Sequence, residues 1–113
     1  MSTDDTVYLK HILEAIEKIE RYTIAVKLNE FLADTLIQDG TVRQIEIIGE
    51  AAKKILDKIK NKNSEIPWKK IVGMRDKLIH GYFGVDLDAV WKTIKEDIPT
   101  LKINVNALLK QKG

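Results

Sequence analysis

Apolar residues recur at intervals of three and four along most of this 113-residue chain. That period belongs to helices with one buried face. Over residues 6–20, Tyr8, Ile12, Ile16 and Ile19 set the stripe, Leu9 and Leu13 widen it, and Lys10, Glu14, Glu17 and Lys18 surround it. His11 lies between Lys10 and Glu14 on the polar side and reads as an exposed surface histidine. Tyr22 and Thr23 close this helix. A second helix starts near Asn29, a residue type suited to an N-cap, with Phe31, Leu32, Leu36 and Ile37 as its apolar side. Gly40 predicts a short break, because glycine inside a helix costs about 1 kcal/mol relative to alanine.

The longest helical pattern covers residues 41–61, where Val42, Ile45, Ile48, Ala52, Ile55 and Ile59 share a face. Gly49, Ala51 and Ala52 are small enough for a neighbouring helix to approach closely. Arg43, Glu46, Glu50, Lys53, Lys54 and Asp57 line the other side. Glu46 and Glu50 repel each other mildly at i, i+4 unless a cation lies between them. This stripe reads as a solvated, salt-bridged face. The alternative is that it helps to position Arg75, the arginine of the polar cluster at residues 75–82.

Residues 61–65 form a polar loop, and Pro67 fits the first turn of the next helix. Ile66, Trp68, Ile71, Val72 and Met74 are packing residues, with Trp68 read as core. Gly81 and Gly84 end this helix, and Asp86 caps the last segment. Leu87, Val90, Trp91, Ile94, Ile98, Leu101, Val105 and Leu108 then keep one phase to the end. Pro99 interrupts the hydrogen bonding, which predicts two helical pieces, the second capped by Asp97. No stretch reads as a strand. The expected architecture is all-α, an up-down bundle of four to five helices in a single domain, residues 1–113.

Composition narrows the chemistry. There is no cysteine, which excludes disulfides, thiolate metal sites and a cysteine nucleophile. No run approaches the roughly 18 apolar residues that span a membrane, and the polar, acidic start does not resemble a secretory signal. A cytoplasmic protein is expected. The formal net charge is only +2, but Lys53 to Lys77 holds nine basic residues against three acidic ones. This basic segment favours an anionic partner such as RNA or a nucleotide, although the same residues also suit a solvated helix end and loop.

The basic segment runs into the densest polar cluster, Arg75, Asp76, His80 and Tyr82. In a continuous helix Asp76 and His80 share a face, so the carboxylate would orient the imidazole and favour its protonated form. A histidine in the last turn would gain further from the helix dipole. Arg75 and Tyr82 would fall on one stripe, with the guanidinium able to clamp a phosphate. These groups lack a second carboxylate or histidine at metal-ligand spacing, and no cofactor is expected. Arginine plus histidine suits metal-independent phosphodiester cleavage of RNA, which carries its own 2′-hydroxyl nucleophile. The reaction needs both a base and an acid, and a two-fold dimer would bring two motifs together. An Asp–His–Arg network that only ties off a helix end remains the competing reading of the spacing.

The stretch Met74-Arg75-Asp76-Lys77-Leu78-Ile79-His80-Gly81-Tyr82-Phe83-Gly84-Val85-Asp86 resembles the Arg-x-x-x-x-His-x-Tyr signature of the HEPN superfamily, specifically of HepT-like toxins. The likeness extends to residues 43–52, to Ile66-Pro67-Trp68 and to residues 90–99. Asp76 stands where the superfamily often has asparagine, and Gly40 where alanine is expected. The resemblance implies a HEPN-like helical homodimer with metal-independent endoribonuclease activity and with Arg75 and His80 as the catalytic pair. It also implies a partner, an MntA-like nucleotidyltransferase antitoxin that AMPylates Tyr82. The alternative is a non-catalytic module that binds nucleotide or such a partner.

Overall fold

The computed structural model describes residues 3–79 and 84–112, and every element of regular structure among them is helical. Helix α1 (Thr3–Thr23) carries the predicted stripe, with Leu9, Ile12, Ile16 and Ile19 all fully buried. It packs chiefly along α3 (Thr35–Lys54) and also against α8 (Ile98–Lys112). Ile45 and Ile48 of α3 and Ile98, Leu101 and Val105 of α8 complete the centre of the bundle. Burial of such side chains stabilises the fold by about 1.5–3 kcal/mol each. No helix among the described residues is long and apolar enough to cross a membrane.

The chain breaks at other places than the glycine and proline pattern predicts. Helix α2 (Leu28–Ala33) begins after Lys27, whose N–H donates to Glu30 Oε1 at 2.9 Å, and not at Asn29. It stops at Asp34, which caps α3 by accepting from the Ile37 N–H at 3.1 Å. Because of this break, residues 31–32 and 36–37 do not share one helix. Phe31 is fully buried, with its ring 5.2 Å from that of Trp91, while Leu32 and Leu36 are exposed. There is no break at Gly40. α3 runs through it because the Tyr22 ring of α1 lies against the helix, where a Cβ on residue 40 would come within 3.1 Å of Tyr22 Cε2. Gly49 also marks a close approach, since a Cβ there would meet Val72 O at 3.3 Å.

The predicted helix over 41–61 is divided. α3 ends at Lys54, Ile55 and Leu56 are extended, and α4 (Asp57–Lys62) follows. The buried carboxylate of Asp5 accepts from the Leu56 N–H at 3.0 Å, satisfying a backbone donor that the break frees. Asn63 then closes α4, and its carbonyl accepts from Nε1 of the buried Trp68 at 3.1 Å.

Two short helices, α5 (Trp68–Val72) and α6 (Met74–Leu78), pack on α3. Asp86 caps α7 (Leu87–Lys92) as expected, accepting from the Ala89 N–H at 3.0 Å. α7 does not end before Pro99. It continues through a π-helical turn, Thr93–Asp97, in which the Ile98 N–H reaches back to Thr93 O, and passes directly into α8. The wider turn accommodates a residue without an N–H and keeps the apolar phase. Asp97 is therefore not a cap. It accepts from Lys70 Nζ at 3.0 Å, tying this turn to α5.

Candidate functional site

The motif arginine sits on α6, whose orientation follows from Met74 and Leu78, both buried against the bundle. Arg75 lies between them in sequence and points outward, with its side chain 45% exposed. Its Nε donates to Oε2 of Glu46 at 3.4 Å, and its Nη1 to Oδ1 of Asp76 at 3.5 Å. Both contacts are at the long end of the hydrogen-bond range. Among the described residues they engage two of the five N–H donors of a guanidinium. Glu46 comes from α3, so the anchor of Arg75 is contributed by the neighbouring helix. Of the two sequence readings of the α3 polar stripe, the one in which it positions the arginine holds for Glu46. Glu50 instead pairs with Lys53 at 3.3 Å, both side chains being exposed.

Arg75 opens onto a groove of about 530 Å³ between α1, α3 and the α5–α6 pair. Tyr8 and His11 form its α1 wall. Arg43, Glu46, Glu50, Lys53 and Lys54 come from α3, and Val72, Arg75 and Asp76 from the far side. Four cations and three carboxylates line it, together with His11. The two ends of the basic segment, Lys53–Lys54 and Arg75, are thus brought to one concavity, where they stand among carboxylates and leave only a small excess of positive charge. Lys70, from the middle of that segment, is instead paired with Asp97. Among the described residues no three imidazole or carboxylate groups are placed to hold a metal ion together.

The helical argument for the motif does not hold. α6 ends at Leu78, and Ile79 is extended (φ −113°, ψ 112°). Ile79 forms an antiparallel bridge with Val85, and the Asp86 N–H donates to Leu78 O at 2.9 Å. These pairings draw the chain out of the helix before Gly81 and Gly84 are reached. The continuous helix that the motif argument assumes is therefore interrupted at Ile79, and what that argument expected of His80 and Tyr82 lies outside the described residues. Asp76 is the immediate neighbour of the Arg75 guanidinium. Gly84 has φ +91°, a conformation that favours glycine. His80 and Tyr82 lie outside the described residues, as do Gly81 and Phe83.

A helical bundle with an arginine set beside a groove of mixed charge, in a chain with this motif, is matched by one family description, ribonuclease HepT-like, over residues 12–108. The chain belongs to this family. Its HEPN-like all-helical fold is the one that the sequence implied. A protein of Thermococcus cleftensis named "Probable ribonuclease HepT" is 50% identical over 103 residues, which is 91% of this chain and 94% of that protein. A Caldanaerobacter subterraneus protein named "Putative RNase" is 41% identical over 104 residues, 92% of this chain and 93% of its own length. A Methanocaldococcus jannaschii protein named "Gamma-glutamylcyclotransferase and putative RNase" is 44% identical over 111 residues. These are 98% of this chain and 50% of that protein, so the HepT-like unit also occurs as half of a longer polypeptide. No solved structure gives a significant match.

Proposed function

We propose that this HepT-like chain is a metal-independent endoribonuclease acting as the toxin of a toxin–antitoxin pair, with its site completed by a second copy. Arg75 carries the reading. It is the motif arginine, it pairs with Glu46 at the edge of an open groove lined by charges of both signs, and among the described residues three of its N–H donors have no partner. Such a guanidinium clamps a phosphodiester and stabilises the charge that grows on the equatorial oxygens as the reaction proceeds. The RNA 2′-oxygen attacks the adjacent phosphorus while a base takes its proton. The bond to the 5′-oxygen breaks, and an acid protonates that oxygen, leaving a 2′,3′-cyclic phosphate and a 5′-hydroxyl.

His80 is the proton-transfer group. In a homodimer with the two motifs facing each other, one His80 acts as base and the other as acid. Asp76 supports the site from beside Arg75. Tyr82 is the regulatory position. An MntA-like nucleotidyltransferase antitoxin joins the α-phosphorus of ATP to the tyrosine oxygen and releases pyrophosphate. The added adenylate, bulky and negative, closes the phosphate site by charge and volume. Two experiments test these roles. Arg75→Ala in the purified chain should abolish RNA cleavage, and the chain with Tyr82 intact, but not Tyr82→Phe, should accept AMP from the antitoxin and lose cleavage. Full cleavage by Arg75→Ala would overturn the site assignment.

A further inference from the structure

The chain has two histidines, and the one outside the motif lines the same groove as Arg75. His11 is exposed, as its polar neighbours predict, but it faces a concavity and not open surface. Tyr8, three residues before it on α1, meets it edge-on, with ring centroids 6.4 Å apart and planes at 70°. This T-shaped arrangement favours one orientation of the imidazole. Lys54 Nζ lies 5.9 Å from the centroid of the Tyr8 ring. The phenol thus lies beside a cation, while among the described residues lining the groove the exposed imidazole is a second planar surface. The groove volume falls within the range of small-ligand sites.

We propose that His11 is a stacking platform for an RNA base, seating the nucleotide adjacent to the phosphate that Arg75 clamps. The proposal rests on the ribonuclease reading of this groove and adds a substrate-binding residue to it. Single-stranded RNA offers unstacked bases, and aromatic and imidazole rings accept any base because every base has a π face. Tyr8 serves as the positioning residue that holds the imidazole plane. The platform favours flexible single strands over duplex, whose bases are stacked on each other.

The test uses the full chain with two probes, AMP for binding and a short single-stranded RNA for cleavage. Wild type, His11→Ala and His11→Phe are compared, with melting curves confirming that this exposed position leaves the fold intact. AMP affinity is measured by calorimetry, and contact is followed through the His11 imidazole proton signals, which His11→Phe assigns by removing them. Loss of stacking predicts AMP affinity about five- to a hundredfold weaker in His11→Ala. It predicts near-wild-type affinity in His11→Phe, and the RNA KM should follow the same pattern with kcat little changed. Equal AMP affinity in all three proteins overturns the proposal even if wild type cleaves RNA. A fall in kcat of equal size in both variants also overturns it, because the imidazole would then be carrying protons. Binding of AMP that depends on the ring at residue 11, in a chain that does not cleave RNA, would uphold the platform and overturn the ribonuclease reading.

Discussion

Removing the Glu46 carboxylate separates what holds the protein together from what holds Arg75 in place. The Glu46–Arg75 pair spans 3.4 Å, with side chains 37% and 45% exposed. Coulomb's law at that distance gives about 1 kcal/mol at the dielectric constant of water and about 5 kcal/mol at an effective constant of 20. Partial exposure moves the pair toward the lower figure, and exposed pairs of this kind contribute roughly 0.2–1 kcal/mol. Glu46→Ala should therefore lower the melting temperature by less than about 8 °C in a domain of this size. The effect on cleavage should be larger, because a displacement of about 1 Å in a substrate-positioning group can lower the rate by about a hundredfold. We expect kcat to fall ten- to a hundredfold. KM should stay level or fall, since the groove loses a negative charge. Steady-state cleavage of a single-stranded RNA, set beside a thermal melt, measures both quantities. An unchanged kcat in a folded Glu46→Ala protein would refute the argument that α3 positions Arg75.

Other substitutions test the frame around the site. Phe31→Ala removes a fully buried ring from its contact with Trp91 and should cost about 3–5 kcal/mol in denaturant unfolding. A loss under about 1 kcal/mol would mean that α2 does not belong to the core. Asp5→Ala deprives the Leu56 N–H of its acceptor and should cost roughly 1–3 kcal/mol, with faster amide exchange at Leu56. Unchanged exchange there would contradict the assignment. Gly84→Ala forces an alanine into φ +91°, which should destabilise the protein by roughly 1–2 kcal/mol although the added methyl meets no atom within 4 Å. A neutral result would show that the segment after the bridge can readjust.

The comparison of sequence with structure follows the range of the interactions involved. The buried stripe of α1, the N-cap Asp86, the core position of Trp68 and the small-residue approach at Gly49 depend on local period, size or capping chemistry, and each is found where the pattern puts it. The breaks at residues 34 and 55–56 were not legible. The second is held by Asp5, 51 residues away, and no local signal marks it. Gly40 and Pro99 mislead for a related reason. The Tyr22 ring makes glycine fit in mid-helix, and a π turn absorbs the proline. The helical geometry expected of the motif was not legible, because the Ile79–Val85 bridge ends the helix earlier than the glycines imply. Glu46 and His11 join the site through tertiary packing alone. Only the spacing of Glu46 along a charged stripe hinted at its role, and His11 gave no signal beyond being one of two histidines.

The central claim is metal-independent cleavage of RNA through Arg75 and His80. It is tested most directly by incubating RNA with the purified wild-type chain in excess EDTA, beside His80→Ala prepared in the same way to control for contaminating nuclease. The account predicts chelator-resistant cleavage by wild type, products ending in a 2′,3′-cyclic phosphate, and loss of cleavage in the variant. Equal cleavage by both proteins, or cleavage abolished by EDTA and restored by a divalent metal, would contradict it.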